Sequence, residues 1–316
     1  MRRTMMNAYS NKEAFKTDPG AKSALSERAL LATLRCKQWT ARKKDKAVTA
    51  ETSDRYRTKD DAVSVTKKLI QCEELEAVSK IITAAGETHR TLTLPWLDGP
   101  RGAPRILAVQ AYAKYVDAMR VHREALEDAV RALAAVYPHA RAAARRSLLG
   151  SMFDDEDYPE DISDRFAITT SLSPVPDARD WRVDLGDDSV AILRADVQAQ
   201  ADEAINSAVR DAYERVAVVV GKLAEKLRAY PPEPKIGSGP KKGDFKGTLV
   251  SNVADLAEIL PLLNITQDPK LDAIAKRMRD ELTHIDPEEL KAWPHLRKEV
   301  TRNAEAILAD IAGFMG

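Results

Sequence analysis

The hydrophobic pattern divides the chain into short apolar runs near the start and long helical periods thereafter. Residues 29–39 (ALLATLRCKQW) carry the first apolar run. Leu34, Cys36 and Gln38 alternate with Arg35, Lys37 and Trp39, which suits a strand, yet Leu30, Leu31 and Leu34 also share a helical face. Period alone does not settle so short a run; the alternation favours a strand. A polar helix is predicted over 48–58, started by Thr49 or Thr52, and a second strand over 62–70 (AVSVTKKLI). Residues 73–88 place Leu75, Val78, Ile81, Ile82 and Ala85 on one face at a 3.6-residue period, the mark of an amphipathic helix. The stretch TLTLPWLDGPRGAP (91–104) is broken by Pro95, Gly99, Pro100, Gly102 and Pro104. Its Leu94, Trp96 and Leu97 require burial, so it reads as an ordered junction rather than a linker.

Two long helices follow. Near 107–136, Tyr112, Val116, Met119, Arg123, Leu126, Val130, Leu133 and Tyr137 recur at alternating spacings of four and three, the rhythm of paired helices. Arg123 sits on that seam, as a snorkelling cation or a register device. Pro138 permits a new helical segment that Gly150 closes. The second helix is predicted over 188–228, roughly 60 Å long at 1.5 Å per residue. Its seam is Val190, Leu193, Val197, Ala201, Ile205, Ala208, Ala212, Val216, Val219, Leu223 and Leu227. The expected arrangement is an antiparallel coiled coil of these two helices, or the same seams paired between copies. Between them, FAITTSLSPVP (166–176) reads as a strand that RDWRVDL (179–185) could join in a hairpin. Further helices are predicted over 245–263, 270–282, 287–293 and 296–314, with Asp268–Pro269 and Asp286–Pro287 as start signals.

The expected fold is therefore mainly α with a β component (α+β). Long antiparallel coiled-coil helices join a small N-terminal and central β element and a C-terminal helical bundle. The expected divisions are a flexible tail (1–22), a small α+β lobe (23–104), a long helical hairpin with an inserted acidic loop and β-hairpin (105–230), a flexible loop (231–244) and a C-terminal helical segment (245–316).

Composition narrows the chemistry. Of 316 residues, 49 are Lys or Arg and 49 Asp or Glu, so bulk charge does not drive binding to nucleic acid or membrane. The balance is polarised, however. Residues 1–100 hold 19 cations against 13 carboxylates, a difference of 6 in favour of the cations. No apolar run reaches the roughly 18 residues of a membrane span. Neither that nor the N-terminal sequence points away from the cytoplasm. The two cysteines, Cys36 and Cys72, exclude a disulfide scaffold or four-cysteine zinc module. GSGPKKGDFKGT lacks the P-loop order and reads as a solvated loop, with contact to an anionic partner as the alternative. The five histidines show no zinc-ligand spacing, and no G-x-S-x-G elbow occurs. No cofactor is expected.

Two regions remain as candidate contacts. One is WTARKKDKAV (39–48), where Trp39 stands beside Arg42, Lys43 and Lys44; an aromatic next to cations can stack a base while the cations hold phosphate, or the Trp can simply anchor in the core. The other is the acidic run Asp154, Asp155, Glu156 and Asp157, a solvated loop or a patch for a basic partner. Trp96 is a third candidate contact.

The stretches WTARKKDKAVT, TLTLPWLDGPR, DYPEDISDRF, SPVPDARDWRV and LPLLNITQDPKL, with the helix start at Tyr112–Tyr115, give the chain a family likeness. It resembles, over roughly residues 25–312, an uncharacterised family of phage- and plasmid-borne proteins known as a domain of unknown function. The resemblance implies an origin in a mobile element. Family members are often encoded near a MoxR-like AAA+ ATPase, sometimes with a von Willebrand A-type protein, which implies an accessory or adaptor role. The expected function is thus a non-enzymatic interaction or adaptor protein. The alternative is a nucleic-acid-binding phage protein that uses the basic N-terminal lobe.

Overall fold

Strand β1 (Ala29–Lys37) is apolar on both faces over its first half. Ala29 and Leu31 enter one hydrophobic core, and Ala32 and Leu34 enter another. Side chains of a strand alternate between faces, so a strand covered on both sides loses the apolar–polar alternation. This is why ALLATL also scans as a helical face. The computed structural model describes residues 25–59, 62–97, 99, 102–177, 187–230 and 247–314. The expected tail at 1–22, the loop at 231–244 and the strand at 179–185 lie outside the described residues.

In chain order, α1 (Leu25–Arg28) runs into β1, followed by β2 (Arg42–Lys44), α2 (Lys46–Tyr56), β3 (Thr66–Lys68) and α3 (Glu73–Thr91). Next come β4 (Leu94–Pro95), β5 (Arg105–Ala108), α4 (Tyr112–Ala143) and β6 (Ala167–Pro174). Then follow α5 (Asp187–Ala229), α6 (Thr248–Leu263), α7 (Pro269–Arg277), α8 (Pro287–Ala292) and α9 (Pro294–Ile311). The fold is mainly helical with a small antiparallel sheet of order β4-β5-β1-β6. Leu31 stands opposite Ile106 on one side and Ser173 on the other. The sheet thus draws strands from both sides of residue 104, the expected lobe boundary.

The sheet lies between two helical layers. Val78, Ile82 and Ala85 of α3 and Tyr115, Met119, Leu126 and Leu133 of α4 cover the face that carries Ala32, Leu34, Leu107 and Ile168. Helices α5 to α9 cover the face that carries Leu31, Leu94, Ile106 and Ala108. The two long helices therefore do not pair with each other as expected: α4 packs along α3, and α5 along α9 and α6. The reason is the two-sided strand. It needs apolar cover on both faces, and each long helix supplies one face with a shorter helix as its neighbour. The predicted seams still point inward. In α4, Met119, Leu126, Val130, Leu133 and Tyr137 are buried, and in α5 Ala208, Ala212, Val216, Leu223 and Leu227 are. Arg123, on the α4 seam, reaches the sheet and donates to Thr170 Oγ1 at 3.3 Å.

Several boundaries differ from expectation for local reasons. The second helix is capped by Asp45, whose side chain accepts from Val48 N–H at 3.0 Å, so it starts before Thr49 and Thr52. Only Thr66–Lys68 of the run 62–70 forms a strand, and it pairs with β2. The stretch at 107–111 belongs to β5 and a 3₁₀ turn rather than to α4. That helix continues through Pro138, which is exposed, so its missing N–H falls on the solvent side. Strand β6 pairs with β1 in antiparallel register from Leu30–Pro174 to Lys37–Ala167. Both Asp–Pro start signals hold: Asp268 and Asp286 cap α7 and α8 with Pro at the first helical position.

The motif stretch LPLLNITQDPKL is a helix–helix corner. The buried Asn264 side chain accepts from Asp268 N–H at 2.8 Å and donates to Asp268 O at 2.9 Å and Asp272 Oδ1 at 3.0 Å. Tyr213 of α5 donates to Asp268 Oδ2 at 2.7 Å and ties the corner to the core. Among the described residues, no helix is long and apolar enough to cross a membrane.

The two layers are also clasped at the sheet edge. Arg215 of α5 donates to the carbonyls of Arg90, Thr91 and Thr93 at 2.9, 2.9 and 2.8 Å. A guanidinium there satisfies the open carbonyls at the C-terminus of α3 and opposes its dipole. Nearby, the His89 Nδ1 lies 2.9 Å from Tyr115 Oη. Burial, then the charges of Arg105 and Arg90, push the His89 pKa down to about 4. The folded protein therefore holds His89 neutral where the unfolded chain, near 6.5, takes up a proton. Stability is fully present above pH 6.5 and falls as the pH drops towards 4, by up to about 3 kcal/mol. Thermal melts across this window should show the loss in the native protein, and His89→Gln should flatten that part of the profile.

Candidate functional site

Strand β1 leaves its apolar half behind at Leu34 and continues as Arg35, Cys36 and Lys37, all exposed. The chain then turns at Ala41, a buried residue with φ 51° whose carbonyl accepts Leu69 N–H at 2.8 Å. A left-handed alanine costs roughly 1 kcal/mol, so the turn is held by its packing. It delivers the chain into a two-stranded ribbon, β2 against β3, with Arg42 opposite Lys68, Lys43 opposite Lys67 and Lys44 opposite Thr66.

Strand alternation gives the ribbon two unlike faces. On the inner face, the Lys67 ammonium lies 2.6 Å from Asp157 and 3.8 Å from Asp45, and donates to Met152 O at 2.8 Å. Lys43 forms a close ion pair with the same Asp157. The Asp157 side chain is only 1% exposed. Burial pulls its pKa up, but the hydrogen bonds from Lys43 and Lys67 outweigh this and hold it below the usual carboxylate range. The inner face is thus neutral, two ammonium groups against two carboxylates. On the outer face, Arg42, Lys44 and Lys68 are exposed and form no ion pair among the described residues.

The acidic run is the other wall of this inner face. Asp155 pairs with Arg141 at 2.9 Å and Arg145 at 3.6 Å, both from the end of the α4 region. Those guanidinium groups also lie over rings, Arg141 over Tyr158 at 5.4 Å and Arg145 over Phe153 at 5.5 Å. Phe153 and Tyr158 stack at 5.0 Å, and Tyr158 donates to Leu69 O at 2.7 Å. Asp154 accepts from Glu156 N–H at 3.1 Å, and both side chains remain exposed.

The structure brings the two expected contact regions together through one ion pair. Lys43 and Asp157 are partners in an internal ion pair, so neither is a free contact. Trp39 is half-buried and meets Tyr137 edge-on at 5.9 Å, which is the anchoring alternative rather than a stacking platform. Trp96 is 7% exposed within the core beneath α5, so it is a packing residue and not a surface contact. Arg42 and Lys44 keep the exposure that binding requires. Sequence reasoning passes over Lys67 and Lys68, whose adjacency in an alternating run is the available signal: one of such a pair must face inward. It also passes over Arg35 and Lys37.

Among the described residues, no group of three or more His, Cys, Asp or Glu is placed to hold a metal ion. A cavity of about 10 Å³ beside Tyr213, Asn264 and Asp268 admits no more than a water-sized group. Compared with protein-family models, curated proteins and solved structures, the chain shows no match.

The inner face gives a stability prediction. Asp157→Asn leaves the Lys67 ammonium buried with only Asp45 near it, a change of the kind that costs about 3–5 kcal/mol. Denaturant unfolding should show that loss. The double variant Asp157→Asn with Lys67→Met should recover a large part of it, because the uncompensated charge is gone.

Proposed function

We propose that the protein is a non-enzymatic nucleic-acid-binding protein that grips phosphate on the outer face of the β2–β3 ribbon. One observation carries this reading. Arg42, Lys44 and Lys68 share an exposed face and form no ion pair among the described residues, while Asp157 and Asp45 are bound on the other face of the ribbon. Like charges directly opposite each other, as Arg42 and Lys68 are, weaken a sheet. A phosphodiester backbone removes that repulsion and releases its own counterions on binding. The cationic excess of residues 1–100 points the same way. With Trp39 packed against Tyr137, phosphate contacts dominate and the binding is independent of sequence.

A second reading rests on the acidic corner. Asp154 and Glu156 stay exposed on a loop pinned by Arg141, Arg145 and Tyr158, a rigid negative surface suited to a basic protein partner. With the resemblance to mobile-element proteins, this supports an adaptor acting in the bacterial cytoplasm beside a MoxR-like AAA+ ATPase.

Fluorescence anisotropy with labelled oligothymidylate and duplex DNA tests the first reading. The triple variant Arg42→Ala, Lys44→Ala, Lys68→Ala should weaken binding about tenfold or more and reduce the salt slope by about 2 for single strands. If the native protein binds neither probe at low salt, the nucleic-acid reading is wrong. A nuclease-resistant protein partner, lost on Asp154→Lys with Glu156→Lys, would then establish the adaptor reading.

A further inference from the structure

We infer that a second phosphate-binding surface lies on the open face of the central sheet, where Arg35 and Lys37 of β1 work with Thr33, Thr169 and Ser171 to hold single-stranded nucleic acid. It rests on the nucleic-acid reading above and assigns that ligand a longer track.

The face is defined by where the helical cover ends. Along one side of β1, Ala29 and Leu31 lie in the core formed with α5 to α9. The next residues on that side are Thr33, half-buried, then Arg35 and Lys37, both exposed. The register places Ser171 opposite Thr33, Thr169 opposite Arg35 and Ala167 opposite Lys37. Ser171 and Thr169 are exposed as well. On the other side of the same strands Leu34 and Ile168 are buried and Thr170 accepts from Arg123, while Cys36 and Leu172 are exposed. The exposed side therefore presents two cations flanked by hydroxyl groups.

Its chemistry is of one kind. Neither β1 nor β6 contains an Asp or Glu, and Arg35 and Lys37 form no ion pair among the described residues. A solvated sheet face needs charge, but mixed signs serve that purpose and suit a strand pair better. Cations beside Ser and Thr hydroxyls are instead the usual contacts to phosphate oxygens. Arg35 and Lys37 stand roughly 6.7 Å apart along the strand, with the hydroxyl row about 4.8 Å to the side. Phosphates on an extended single strand can follow that step. From Lys37 to Arg42 the chain spans at most about 18 Å, so one oligonucleotide can reach both surfaces. Neither β1 nor β6 contains an aromatic residue, so their grip is on the backbone alone.

The test uses the full chain and a labelled oligothymidylate. Arg35→Ala with Lys37→Ala should weaken binding severalfold or more and lower the salt slope by about 1.4. Thr169→Val with Ser171→Ala should weaken it without changing the slope, because no charge is removed. Arg35→Lys with Lys37→Arg keeps the charge and should retain most of the affinity, and thermal melts identify any variant that fails to fold. If the folded Arg35→Ala, Lys37→Ala protein binds like the native one while the ribbon triple variant does not, this inference is overturned and the ribbon reading stands. If the native protein binds no oligothymidylate, this inference falls, and the ribbon reading falls with it only if duplex DNA is not bound either.

Discussion

A strand with apolar side chains on both faces has no side to give to water, and β1 is such a strand. Leu31 on one face and Ala32 and Leu34 on the other each need a hydrophobic partner. Burying a leucine contributes about 1.5–3 kcal/mol, and each face carries one, so leaving either face bare would be costly. Two helical layers follow from this requirement. It also explains why the chain holds two long helices that never become partners. Each is the principal cover of one face, and the sheet keeps them apart.

The same constraint separates what is legible in the sequence from what is not. Helix caps are local, and Asp268–Pro269 and Asp286–Pro287 announce their helices without help from the rest of the chain. The inward faces of α4 and α5 are legible too, because a 3.6-residue period marks them whatever they pack against. What they pack against is not legible. The seam of α4 satisfies a coiled-coil rhythm, yet Met119 and Leu133 meet α3 and the sheet. Heptad spacing states that a stripe must be covered and leaves open whether a helix or a strand covers it. Strand β6 is a similar case: its alternation is visible, but its partner is the distant β1 and not a neighbour in sequence.

The candidate site was half legible for a related reason. Charge clusters are easy to see in a sequence, whereas their pairing depends on the fold. Asp157 reads as one of several acidic loop residues, but the fold buries it against Lys67, a residue 90 positions away, and against Lys43. A buried carboxylate requires such compensation. The acidic run and the basic run, which look like two separate contact surfaces, meet in one internal bond, Lys43 with Asp157. Only alternation along the ribbon, which depends on the β2–β3 register, sorts Lys43 and Lys67 inward and Arg42, Lys44 and Lys68 outward.

The surfaces proposed for binding are thus what remains after the fold has covered its own needs. The helices cover the apolar half of β1 and stop near Thr33. The 152–158 loop covers the inner face of the ribbon and uses Asp157 there, while Asp155 pairs with Arg141. The leftover side of the sheet carries Arg35 and Lys37, and the leftover side of the ribbon carries Arg42, Lys44 and Lys68. Solubility by itself is indifferent to sign, and a chain with equal numbers of acidic and basic residues had carboxylates enough to mix in. Among the described residues these five cations, on two surfaces joined by one short turn, form no ion pair, and that asymmetry is what the proposed anionic ligand would answer.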